Sequence, residues 1–75
     1  MKLVDLNVGE TAKVLKINSS LEMTKRLNDL GFFENVDIKC MLTGPFKKIK
    51  AYLINDTLLA IRDKDALNIE VTIND

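Results

Sequence analysis

One stretch of the chain, Met23 to Phe32, carries the repeat of a helix longer than a single turn, and it limits the fold more than any other segment. Met23, Leu27 and Leu30 follow one another at spacings of four and three, which lines them along one face. Ser19 is placed to cap the start, with Glu22 three residues on to complete a capping box. Gly31 stands where a helix most easily ends in a left-handed residue. Phe32 follows at the position that packs back against Leu27. The spacing therefore predicts one helix, Ser19 to Leu30, of about three turns. The rest reads as strand and turn, so this helix must dock on, or be inserted into, a small sheet.

Leu3 to Val8 is nearly alternating and ends in a turn at Gly9-Glu10. Thr11 to Ile17 is the first clear strand. Ala12 and Val14 share one face while Leu15 and Ile17 take the other, which predicts a bulge or bend at Val14-Leu15. A second strand runs from Val36 to Leu42, with Val36, Ile38, Cys40 and Leu42 alternating against Asp37 and Lys39. Thr43-Gly44-Pro45 ends it.

Ile49–Ile54 and Thr57–Arg62 flank Asn55-Asp56, two residues that tolerate positive φ and so predict a tight hairpin. Counting outward from the turn pairs Ile54 with Thr57, Leu53 with Leu58, Tyr52 with Leu59 and Ala51 with Ala60. One face then carries Tyr52, Ile54, Leu59 and Ile61. The other carries Ile49, Ala51, Leu53, Leu58 and Ala60. A small sheet should be apolar on one side only, so the second face needs cover from the helix, a terminal strand or a partner surface. Asp63 to Leu67 reads as one helical turn capped by Asp63. Ile69, Val71 and Ile73 mark a last strand. Five short strands joined by tight turns point to a small barrel, which leaves no exposed edge.

Seventy-five residues make one domain, 1–75, with a thin core. Cys40 is the only cysteine, which excludes an internal disulfide and suits a buried, reduced thiol of a cytoplasmic protein. The first residues lack a signal-peptide core, and no segment reaches the roughly 20 apolar residues of a membrane span. Eleven basic and eleven acidic side chains give zero formal charge, which argues against attraction to nucleic acid. With no histidine, the commonest general base and metal ligand are missing. Asp63 and Asp65 read as a solvated turn rather than a cation site. The residues give no catalytic constellation and no ligand set, so the expectation is a non-enzymatic protein without a cofactor.

Two basic groups stand out. Lys25-Arg26 lies on the exposed side of the helix, where Glu22 and Asp29 can compensate it. Lys47, Lys48 and Lys50 stand at the entrance to the hairpin, as lysines that guard strand edges do. Either group could instead meet an acidic partner. Phe33 either closes one end of the barrel or is an exposed aromatic anchor.

Taken in order, Leu3-x-x-Leu6, Val8-Gly9-Glu10, then Lys25-Arg26-Leu27-x-x-Leu30-Gly31-Phe32 resembles the FeoA family, small SH3-like accessory proteins of bacterial ferrous-iron uptake. The resemblance continues through Gly44-Pro45-Phe46, Leu59-Ala60-Ile61-Arg62 and Asp65-Ala66 before Ile69, nearly the whole chain. It departs where the family has proline-glycine after the helix and this chain has Glu34-Asn35. It departs again where the family has a glycine in the last hairpin and this chain has Asp56. Both Asn35 and Asp56 tolerate turn geometry.

The resemblance implies a five-stranded SH3-like barrel with one inserted helix. It also implies a cytoplasmic partner in FeoB, the membrane ferrous-iron transporter with a GTP-binding domain. Transition-metal binding is a family-level description for which this sequence offers no residues. The expected partner-binding surface combines Lys25, Arg26 and Phe33 with Leu53 and Leu58. Nucleic acid and direct membrane insertion are not expected. The alternatives are a metal-responsive module like the SH3-like domain that closes some metal-dependent repressors, and weak self-association through the apolar hairpin face.

Overall fold

A computed structural model describes residues 1–44 and 48–73. Five strands form one antiparallel sheet: β1 (Thr11–Ile17), β2 (Asp37–Thr43), β3 (Ile49–Ile54), β4 (Thr57–Arg62) and β5 (Ile69–Ile73). Their order across the sheet is β4-β3-β2-β1-β5. Helix α1 (Leu21–Asp29) joins β1 to β2, and the single turn α2 (Asp63–Ala66) joins β4 to β5. The mainly β, five-stranded, SH3-like architecture with one short inserted helix is the one expected. The barrel is not closed, however: β4 and β5 are the two ends of the sheet and do not pair with each other.

Helix α1 ends as its sequence dictates. Gly31 takes φ +88°, its N–H donates to the Asn28 carbonyl at 3.0 Å, and the Phe32 N–H donates to the Leu27 carbonyl at 2.9 Å. This is a complete Schellman motif. It turns the chain so that Phe32 enters the core with Leu27 beside it. The start differs from expectation. Ser20, not Ser19, is the cap, its Oγ accepting from the Met23 N–H at 3.1 Å. The Ser19 hydroxyl is buried and has no partner among the described residues. A one-residue shift in the cap removes the Ser19–Glu22 box, because Met23 now stands three residues beyond the cap. Asp63 likewise does not cap α2; Arg62 takes that position and caps with no side-chain bond.

Two bulges shape the sheet. Between Val14 and Lys16 the β1–β5 register shifts, as expected, but the extra residue changes which side chains turn inward. Ile17 pairs with Ile69 and packs against the core, while Leu15 is left half exposed; the two do not share a face. A second shift falls between Cys40 and Leu42. Ile38 and Cys40 point inward, but Leu42, expected on the same face, is turned to solvent and 60% exposed. Unbroken alternation from Val36 to Leu42 gives no sign of this second step, and one inserted residue flips everything beyond it.

The hairpin follows the counted register through every pair from Ile54–Thr57 to Ala51–Ala60. Asn55 and Asp56 both have positive φ, at 49° and 64°, the mirror-image turn that matches strand twist. Asn35 also takes positive φ, at 72°.

Tyr52, Ile54 and Ile61 form the wall of the core, with Phe32, Val14, Val71 and Ile69 against them. Burial pushes the Tyr52 phenol well above its usual range, with Cys40 and Asp63 adding to the effect. The Cys40 thiol is buried, and its pKa is raised chiefly by desolvation. Two side chains from the inner face of β3 reach a 3-10 turn at Leu3–Asp5, where the sequence alone suggested alternation. Tyr52 Oη donates to the Leu3 carbonyl at 3.5 Å. Lys50 Nζ donates to the carbonyl of Val4 and, at 3.4 Å, to that of Leu6. Lys50 is therefore turned inward, while Lys48 is exposed; Lys47, Pro45 and Phe46 lie outside the described residues. Lys48 and Lys50, the two described members of the basic trio, do not form one exposed surface.

The outer side of β5 is covered. Lys2 bridges to Glu70, the Val71 N–H donates to the Met1 carbonyl at 2.8 Å, and Lys2 Nζ donates to Glu70 Oε1 at 2.6 Å. That hydrogen bond, reinforced by the charges of Lys2 and the terminal ammonium, lowers the Glu70 pKa below its ordinary value of 4.5. A carboxylate whose pKa falls on folding stabilises the fold above its unfolded pKa, and that contribution is lost as pH drops through the folded value. In a carboxyl NMR titration Glu70 should show a midpoint below 4.5, and Lys2→Ala should raise it. A native midpoint at or above the ordinary value contradicts the bridge.

Candidate functional site

The hairpin that carries the core on one side leaves its second side uncovered. Rows of side chains cross this outer face in register: Thr11, Lys39, Leu53 and Leu58 form one, and Leu42, Ala51 and Ala60 the next. Beyond them Ile49 stands opposite Arg62. Leu42, Ile49 and Leu58 are exposed large apolar side chains. Neither helix is placed over this face: α1 meets the sheet at the other side of β4, where Leu59 and Ile61 point. Exposed apolar surface that neighbours in sequence could have covered is characteristic of interaction surfaces.

Helix α1 and β4 enclose a cleft of about 170 Å³. Met23, Arg26, Leu27 and Leu30 form one wall, and Leu59 to Arg62, with Asp65, form the other. The floor is aliphatic and two guanidinium groups stand at its walls. Among the described residues neither Arg26 nor Arg62 makes an ion pair, and neither does Lys25. Compensation of Lys25-Arg26 by Glu22 and Asp29, the solvated reading of the sequence, is therefore not made as direct ion pairs.

The five expected partner-binding residues do not form one patch. Leu53 and Leu58 are a cross-strand pair on the outer face. Arg26 lines the cleft on the other side of β4. Phe33, 48% exposed, lines a separate groove with Ile17, Thr24, Asn28 and Glu34. It neither closes the sheet nor joins the hairpin. Lys25 is exposed on α1. The sequence reading missed Leu30, Arg62 and the outward-turned Leu42. Arg62 and its neighbours were marked as a Leu59-Ala60-Ile61-Arg62 pattern, and that pattern is the β4 wall of the cleft. Leu42 could not have been found without the bulge. Among the described residues no three side chains of the metal-ligating types come together, and no helix is long and apolar enough to cross a membrane.

Comparison with known proteins gives a consistent result. The family model of the FeoA domain matches residues 1–73. No curated protein sequence matches. Among solved structures, the FeoA protein of Chlorobium tepidum superposes with a TM-score of 0.93 at 30% identity, covering 97% of this chain and 70% of that one. The zinc complex of Stenotrophomonas maltophilia FeoA, described as a procaryotic SH3 domain protein, gives a TM-score of 0.76 at 23% identity over 95% and 88% of the two chains. A manganese-dependent transcriptional repressor gives 0.85 at 15% identity, over 97% of this chain and 40% of its own. The last two, at such identities, speak to the fold alone.

Proposed function

We propose a function for this chain from one premise: it belongs to the FeoA family. That family is associated with ferrous iron transport, and this chain carries its SH3-like fold. On our reading it is a non-enzymatic accessory of bacterial ferrous iron uptake that works at the cytoplasmic face, docking on the cytoplasmic portion of a FeoB-type transporter and modulating it. The observation that supports docking is the uncovered outer face of the β3–β4 hairpin, with Leu53 and Leu58 at its centre. A 75-residue chain has little apolar side chain to spare from its core, so exposed Leu42, Ile49 and Leu58 around half-buried Leu53 on one sheet face are best explained by a second molecule. The Stenotrophomonas protein has been put forward as a ferrous iron transport activating factor, which agrees in kind with this role.

Capture of the transporter's soluble cytoplasmic domain by the immobilised chain tests the reading. Leu53→Asp buries a charge in the contact and should weaken capture at least about tenfold, with Arg26→Glu weakening it less. Capture unchanged by Leu53→Asp removes the outer face as the docking site, and capture unchanged by Arg26→Glu removes the cleft beside it.

A further inference from the structure

The two ends of the sheet are treated differently. The β5 end is closed by Met1 and Lys2, which bond to Val71 and Glu70. The β4 end has no strand beside it among the described residues. In a two-residue hairpin the closing pair, here Ile54 and Thr57, exchanges hydrogen bonds, and pairs then alternate along the ladder. The N–H groups of Leu58, Ala60 and Arg62 therefore point off the open edge. Proteins commonly guard such an edge with lysine, proline or an inward charge; Thr57 to Ile61 carry none of these, and the one charge of β4, Arg62, stands at its last position. Alongside the edge runs the cleft with α1, lined on the sheet side by residues of β4 alone.

We propose that the α1–β4 cleft receives an extended segment of a partner protein, which adds to β4 as a sixth strand and brings alternating aliphatic and acidic side chains. The main chain of the segment bonds to the outward groups of Leu58 and Ala60. One aliphatic side chain enters the cleft of about 170 Å³, which is larger than a cavity of about 150 Å³ known to take benzene. Carboxylates on the segment meet Arg26 and Arg62, which lack ion partners among the described residues. With Asp65 also lining it, the cleft keeps one excess positive charge, and this charge is what selects the occupant. A second copy of the chain, pairing β4 with β4 about Ala60, would bring the same arginines of both copies to one seam, whereas an acidic segment neutralises them. The inference rests on the reading that the chain acts by docking on another protein, and it assigns the chemistry of one docked element.

An acetylated, amidated octapeptide alternating leucine and glutamate, added to the isotope-labelled full chain, tests it by amide NMR. The expected result is displacement of the Leu58, Ala60 and Arg62 amide signals, with slowed hydrogen exchange at Leu58 and Ala60. Replacing alternate peptide residues by proline, or glutamate by lysine, should weaken binding at least about tenfold, the effect of losing one to two main-chain or ionic hydrogen bonds. Ala60→Pro removes an outward N–H that β3 does not use, and should weaken binding by a similar factor. Arg26→Glu, at an exposed position, gives the same test should the proline disturb the strand.

Equal binding of the leucine–glutamate and proline peptides overturns the proposal, as does absence of any displacement at millimolar peptide. Movement of the Leu58 and Ala60 signals with protein concentration alone assigns the edge to a second copy and also overturns it. Peptide binding without capture of the transporter domain upholds the cleft and rejects the transporter; capture without peptide binding does the reverse.

Discussion

Phe32→Ala should remove a large share of the stability of this chain. The ring is fully buried, it sits at the turn that ends α1, and phenylalanine-to-alanine changes in cores cost about 3–5 kcal/mol. A folded chain of this length holds on the order of 4–11 kcal/mol in total. The loss is therefore about a quarter or more of what is available, and a urea titration followed by circular dichroism should find the midpoint greatly lowered or the chain already unfolded. Phe33→Ala is the control. It removes a ring of the same size one residue later, from a half-exposed groove, and should shift stability by no more than about 1 kcal/mol. Similar losses for both would mean that the Schellman turn does not decide which of the two rings is inside.

Lys50→Met is expected to have the next largest effect. Its ammonium is the donor to the Val4 and Leu6 carbonyls, so it holds the 3-10 turn at Leu3–Asp5 to the inner face of β3. Methionine keeps most of the stem but leaves two part-buried carbonyls without that donor. Hydrogen bonds from a charged group contribute about 1.5–3 kcal/mol net, and a loss in the upper half of that range is expected because both bonds go together. Lys48→Met, at an exposed position two residues away, should be neutral within about 0.5 kcal/mol. Thermal melts of the two variants give the comparison; equal melting temperatures would show that the inward lysine carries nothing.

Those two pairs also show how far the sequence could be read. Phe32 was assigned inward, and Phe33 left open, because a glycine after a periodic leucine fixes the phase of the next residue. The β3–β4 register followed from a turn of two residues, which admits one count. Elsewhere the local pattern was complete but insufficient. Lys50 and Lys48 are indistinguishable as residues of a basic run, and only the placement of the Leu3–Asp5 turn over β3 makes one of them structural. The bulge after Val14 was marked by a break in alternation, though not which of Leu15 and Ile17 it would turn inward; the one before Leu42 adds a residue without any such mark. The candidate site was legible in the same uneven way. Leu53 and Leu58 belong to the hairpin and were placed opposite each other by counting. Arg26 and Arg62 come together only through the docking of α1 beside β4, a contact between elements far apart in the chain.

The position of β1 in the sheet bears on how the molecule comes to be folded. β2, β3 and β4 are joined in succession and can zip together as each follows the last, but β1 lies between β2 and β5, and Ala12 finds Ile73 as its neighbour. Closing a loop of nearly the whole chain is entropically slow compared with forming a hairpin. On the ribosome, then, β1 would have one ladder of hydrogen bonds unmet until the last strand emerged, and an apolar, half-paired sheet is what chaperones bind. On topology alone, the ladder between β1 and the five-residue β5 is the pairing expected to form late.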